Sequence, residues 1–270
     1  MYGQFGEVKI LKNLVEKFDI PKTCVEFGAY DGITNSNTHY FWEKKEFRAL
    51  LIEPNEKLFH LLKKNSNDNC ITINEHVTIK NNLNEIIKKN SFSDKIGILS
   101  IDIDANDLEI FKLVNHKSTY IVVIEFNNQF PIWVNYEDPE GYIVFRHSAL
   151  AILNFASKKG YKLLDVKGSN LILINENNLK LPKNLFPESL KTCFDYGEQI
   201  KACKDVRIIG SKFTTNAKVF SEKPNFLLKI KKFIFQIIVI VNYSLRGKNL
   251  PSRNIPESCR KKIIDSGLYL

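Results

Sequence analysis

The chain has 270 residues, 44% apolar and 26% charged, which is enough for one sizeable core with extensions and excludes a disordered or fibrous polypeptide. The net charge of +9 is unevenly spread: residues 201–270 hold 15 Lys and Arg against 4 Asp and Glu, and residues 1–200 hold 24 against 26. A basic catalytic half is therefore excluded, which argues against a nucleic-acid partner there, and the basic tail suits an anionic membrane or phosphate-rich surface, or plain solvation.

In chain order, residues 5–18 carry Val8, Leu11, Leu14, Val15 and Phe18 on one stripe, predicting an amphipathic helix. Residues 23–28 read as a strand, ended by the turn Glu26-Phe27-Gly28-Ala29-Tyr30-Asp31-Gly32. Asn35, Ser36 and Asn37 are good capping types before a helix running to about residue 45. A second strand over 49–53 ends in Glu53-Pro54, and a helix over 55–65 is expected to turn Leu58, Phe59, Leu61 and Leu62 inward. Strands over 69–74, 96–102 and 120–126 alternate with helices over 82–89 and 108–114. That alternation implies a parallel sheet with helices on both faces. Residues 127–145 break the rhythm as a long aromatic loop with Trp133, Tyr136 and Tyr142, the kind usually kept for function. A helix over 148–159 follows, then strands over 161–166 and 170–174 joined across Lys167-Gly168-Ser169 as an antiparallel hairpin.

Five widely spaced cysteines without a CxxC pair speak against a zinc ribbon and suit a reducing compartment. The stretch Met1–Glu7 lacks a basic region followed by an apolar run, so no secretory signal is expected. Residues 226–241 are apolar but interrupted by Lys229, Lys231 and Lys232. The run is too short to span a bilayer and is read either as buried against the core or a partner, or as lying in a membrane interface.

Ligands of open α/β sheets bind beyond the carboxyl ends of the strands. The polar residues there are Glu26 and Asp31, Glu53, Asn74 and Glu75, Asp102 and Asp104, and Glu125 and Asn127. Gly28 and Gly32 allow a sharp turn and close approach to a ligand, and Glu53 is placed to accept hydrogen bonds from a ribose. Asp102, Asp104 and Asp107 suit either a hard divalent cation or the positioning and deprotonation of a substrate hydroxyl, with helix capping as the plainer role. His147 is a candidate base or metal ligand. Its neighbour Ser148 has no triad partners in a suitable arrangement.

These residues match a family. Glu26-x-Gly28-x-x-x-Gly32 resembles the cofactor loop of class I S-adenosylmethionine-dependent methyltransferases, with Glu53 as the ribose-binding acid. Together with Ser36-Asn37-Thr38, Leu51-Ile52-Glu53-Pro54 and Ser100-Ile101-Asp102-Ile103-Asp104, the pattern is similar to the FkbM-type branch, over residues 22–175. Tyr30 and Ala105 stand where relatives commonly have glycine. The resemblance implies a Rossmann-like three-layer sandwich around a mostly parallel seven-stranded sheet with an antiparallel C-terminal hairpin, plus a C-terminal extension. It implies a methyltransferase domain over 1–180, while the irregular extension over 181–225 and the basic, partly apolar tail over 226–270 are read from their own composition.

The implied activity is O-methylation of a hydroxyl on a sugar, carbohydrate or polysaccharide precursor. The implied cofactor ligands are Glu26, Gly28, Tyr30, Asp31, Gly32, Asn37, Glu53, Asn74 and Asp102. Asp102, Asp104 and Glu125 are the candidates for catalysis or for a divalent metal such as Mg, with His147 and Asn127 behind them. The loop at 127–145 resembles a lid, with Trp133, Tyr136 and Tyr142 stacking on a pyranose. The expected partners are a sugar-containing small molecule or lipid-linked glycan. The expected location is the cytoplasm, with peripheral contact on the inner face of an anionic membrane through 226–270. The rivals are a non-catalytic membrane-surface accessory protein of glycan assembly and an NAD-dependent oxidoreductase, though the second glycine of a dinucleotide fingerprint is Tyr30 here.

Overall fold

The computed structural model describes residues 2–77, 83–104, 107–128, 130, 132, 135–138 and 146–194. Seven strands form one sheet: β1 (Thr23–Phe27), β2 (Arg48–Ile52), β3 (Cys70–Ile73), β4 (Ile96–Ile101), β5 (Thr119–Glu125), β6 (Tyr161–Lys167) and β7 (Asn170–Asn175). Their spatial order is β3-β2-β1-β4-β5-β7-β6. Strands β1 to β5 pair in parallel, and β7 enters antiparallel between β5 and β6. The expected α/β Rossmann-like architecture with its antiparallel C-terminal hairpin is therefore the observed one. It departs from the all-parallel 3-2-1-4-5-6 order of dinucleotide-binding folds.

Seven helices accompany the sheet among the described residues: α1 (Glu7–Lys17), α2 (His39–Lys44), α3 (Glu56–Asn65), α4 (Leu83–Lys89), α5 (Asp107–Lys112), α6 (Ala149–Lys158) and α7 (Leu190–Cys193). Alternate strand residues point to opposite faces, and the two faces carry separate cores. Val25, Phe27, Leu99, Ile101, Val122 and Ile124 pack under α4, α5 and α6. Cys24, Ala49, Leu51, Ile98 and Ile121 pack under Leu11 and Leu14 of α1, Phe41 and Trp42 of α2, and Leu62 of α3. This period of two puts Glu26 on the α2 side of the sheet, which decides its partners.

Two local expectations change. Of the four α3 residues expected to turn inward, only Leu62 is buried, and Leu61 is 48% exposed, because α3 covers the outer strands β2 and β3 with one narrow stripe. Helix α2 starts later than its run of capping types suggests. Ser36 Oγ still accepts the Thr38 and His39 N–H groups, but Asn37 turns away to the sheet. In residues 181–194, the described part of the expected extension, Leu181, Phe186, Leu190 and Cys193 touch the cores and Phe194 is buried beside Phe126. Residues 195–270, which include Cys203, Cys259 and the tail over 226–270, lie outside the described residues. No helix of the described residues is long and apolar enough to cross a membrane.

Candidate functional site

The parallel register brings the acidic strand ends together. Glu26 stands opposite Ser100, and Ile101 opposite Ile124, so Asp102 and Glu125 emerge side by side. Between them and the turn after β1 lies a cavity of about 330 Å³. Glu26, Asn37, Asp102, Asp104, Glu125 and Gln4 line it with the backbone corner of Gly28.

The corner is built from three left-handed residues, with φ of 68° at Gly28, 53° at Tyr30 and 82° at Gly32. A Cβ on Gly28 would overlap the Asp102 carbonyl oxygen. The glycine thus allows the sharp turn expected of it and also lets the exits of β1 and β4 approach each other. Tyr30 adopts the conformation usually left to glycine, and its side chain is 47% exposed rather than packed in the turn. Asp31 closes the turn on itself, accepting from the N–H groups of Ile33 (2.9 Å) and Thr34 (2.7 Å) and from the Thr34 hydroxyl (2.7 Å). Partial burial works against its charge, but these donors hold its carboxyl below the ordinary value.

Glu26 is buried, and burial raises its pKa. It is offset by the hydroxyls of Ser36 (2.6 Å) and Thr38 (2.7 Å) and the Asn37 N–H (2.8 Å). A buried carboxylate without partners costs several kcal/mol, so this set of donors explains why the loop before α2 folds against β1. Asn37 Nδ2 donates to Ser100 Oγ at 3.1 Å, while its buried Oδ1 has no donor. Glu53, also buried, accepts the backbone N–H groups of Tyr30 (3.0 Å) and Asn55 (2.8 Å). Each oxygen keeps further acceptor capacity. Asn74 secures that strand end by donating to the carbonyls of Glu53 (2.8 Å) and Pro54 (3.1 Å).

Carboxylate oxygens of Asp102, Asp104 and Glu125 lie within 4.8 Å of one another. Burial first, then the Asp104 charge, raises Asp102. Burial first, then the Asp102 charge, raises Glu125. Arg146, which the sequence reading missed, opposes both. Its Nη1 donates to Asp104 at 3.0 Å and to Glu125. No local pattern marks Arg146; the available signal was the need of clustered strand-end carboxylates for a cation. Arg146 is itself fixed, with φ 64° and its backbone N–H on Asp138 at 2.7 Å.

His147 does not line the cavity. It is buried with neither ring nitrogen hydrogen-bonded, and burial pushes its pKa down to about 4. The Asn127 N–H meets the His147 carbonyl at 2.9 Å, closing the base of the loop. Tyr136 is buried, stacked on Phe130, with its hydroxyl on Asp138 at 2.8 Å. It is thus committed to the loop's own packing and not presented for stacking on a sugar. Trp133 and Tyr142 lie outside the described residues. Asp107 does not join the cavity either. It accepts the Ile103 N–H at 2.9 Å, and burial raises it to about 7.

No family model and no curated protein matches this chain. Among solved structures it is similar to a "putative S-adenosylmethionine dependent methyltransferase from Listeria monocytogenes". The identity is 14%, with 63% of this chain and 96% of that chain covered, at a TM-score of 0.39. A likeness of that size carries no argument about activity, which has to rest on the site.

Proposed function

We propose that the protein is an S-adenosylmethionine-dependent O-methyltransferase acting on a hydroxyl of a sugar or glycan precursor. The observation that carries this reading is the pairing of the Gly28 corner with a buried Glu53 at the tip of the adjacent strand, beside a cavity lined by carboxylates. Glu53 would accept the ribose hydroxyls, and the unpaired Oδ1 of Asn37 fits a ligand that brings a donor. When bound, the sulfonium cofactor supplies an electrophilic methyl group. The chain supplies proximity, alignment and a carboxylate to take the acceptor proton at Asp102 or Glu125.

Among the described residues the cavity lining holds four carboxylates and no Lys or Arg, which suits a neutral hydroxyl-bearing group better than a phosphate. The hard oxygen set of Asp102, Asp104 and Glu125 fits a Mg-type ion, which would orient and acidify the hydroxyl. Arg146 already pairs with two of the three, so such an ion would share the site with a guanidinium. Contact of residues 226–270 with an anionic membrane belongs to the same proposal and rests on their basic charge.

Calorimetry with S-adenosylhomocysteine, followed by methyl transfer to nucleotide sugars and lipid-linked saccharides, tests the reading. Glu53→Ala should weaken S-adenosylhomocysteine binding about tenfold or more, since ligand hydrogen bonds to a charged group contribute about 1.5–3 kcal/mol. Asp102→Asn should lower turnover more than cofactor affinity. Absence of binding by intact protein at millimolar concentrations would remove the proposal.

A further inference from the structure

Residues 2–7 cross the mouth of the cavity as a strap held on both sides. On the β1 side, the Gly3 N–H donates to the Ser36 carbonyl at 3.1 Å, and the Tyr2 hydroxyl donates to Glu43 at 2.6 Å. On the β7 side, the Phe5 ring lies against Gly168 in the β6–β7 turn, so closely that a Cβ there would overlap it. Glu7 is fully buried, accepting from Asn170 Nδ2 and from the Phe5 N–H, each at 2.8 Å. Strands β4 and β5 lie between β1 and β7. The strap therefore spans the strand ends that carry Asp102, Asp104 and Glu125. Left-handed turns at Gly3 (φ 71°) and Gly6 (φ 98°) bracket it. A Cβ on Gly3 would come within 2.9 Å of Val8 Cγ2, so the path needs glycine there. Between the two anchors stands Gln4, exposed and lining the same cavity as the three carboxylates.

We propose, building on the methyltransferase reading, that Gln4 is a specificity-determining residue on the acceptor side of the cavity. Its carboxamide offers both a donor and an acceptor in the cavity that Asp102, Asp104 and Glu125 also line. That combination selects a neutral acceptor with neighbouring hydroxyls, and the anchors at Gly3 and Phe5 hold the Gln4 backbone beside the cavity.

The test uses the full chain, S-adenosylmethionine and a panel of methyl glycosides of glucose, galactose, mannose and rhamnose. The best acceptor is then carried into kinetics with Gln4→Ala, Gln4→Asn and Phe5→Ala, with S-adenosylhomocysteine affinity and melting temperature measured alongside. Gln4→Ala should raise the acceptor KM at least fivefold, more than it lowers kcat, with S-adenosylhomocysteine affinity within twofold of the parent. Phe5→Ala, which releases the strap from Gly168, should move KM in the same direction. An unchanged KM in Gln4→Ala, or a loss of S-adenosylhomocysteine affinity parallel to the KM change, overturns the role of Gln4 and leaves the methyltransferase reading standing. Cofactor binding without transfer to any glycoside overturns the sugar reading and this inference together.

Discussion

Gly28 and Arg146 carry the site's geometry at the residue scale, Gly28 through its backbone and Arg146 through its guanidinium. Gly28 combines φ 68° with contact to the Asp102 carbonyl, so any side chain meets both a conformational penalty and a rigid neighbour. The left-handed conformation alone costs a non-glycine residue about 1–2 kcal/mol, and overpacking adds about 1–3 kcal/mol. Gly28→Ala should therefore lower stability by roughly 2–5 kcal/mol in chemical denaturation and abolish cofactor binding. A melting curve unchanged from the parent would contradict that account. Arg146 holds a left-handed φ without being glycine, and its ties to Asp104, Glu125 and Asp138 offset the strain.

Helix α6 and the loop before it form one unit at the scale of the element. Ser148 is the N-cap, accepting the Ala151 N–H at 3.2 Å, and the same hydroxyl oxygen accepts the Tyr136 N–H at 2.9 Å. The Ser148 N–H returns to the Tyr136 carbonyl at 2.9 Å. The loop base is thus welded to a helix start, and Arg146 and His147 sit on that weld. Ser148→Ala removes a cap, at about 1 kcal/mol, and leaves the buried Tyr136 N–H without its acceptor, at about 1–3 kcal/mol. A fall in melting temperature of roughly 4–16 °C is expected at about 2–4 °C per kcal/mol. A shift under 1 °C would show that the loop is not anchored there.

Buried histidines shape the pH response of the whole molecule. Burial pushes both His147 and His116 down to about 4, His116 being packed among Phe111, Phe155 and Tyr161. The unfolded chain takes up these protons near pH 6.5 and the folded chain only near 4. Their contribution to stability is present above about pH 6.5 and is lost as pH falls toward 4. Asp107, raised to about 7 by burial, acts oppositely, its contribution being present at acid pH and lost as pH rises through 7. The raised carboxyls of Asp107, Glu125, Asp102 and Glu26 offset the histidines between pH 6.5 and 4, so His147 is read by difference: on acidification across that window melting temperature should fall less, or rise more, in His147→Gln than in the parent. A slope identical to the parent's would show that His147 does not titrate as burial dictates.

Strand and helix order was legible because apolar runs of four to six residues, such as Ile121–Ile124, alternate with amphipathic stretches, and burial on both sheet faces demands that pattern. The candidate carboxylates were legible for a related reason, since charge directly after an apolar strand must emerge at a sheet edge. The inward set of α3 and the placing of Tyr136 were not, because exposure depends on which neighbour arrives. Sequence alone determined the α/β class, the glycine corner and the acidic strand tips, since each follows from local periodicity and backbone freedom. Only the tertiary structure decided that Arg146 pairs with Asp104 and Glu125, that His147 is buried away from them and that Gln4 shares their cavity. Those contacts join residues 42, 21 and about 100 positions apart, and long-range proximity is set by strand order and register, which leave no mark on the local chain.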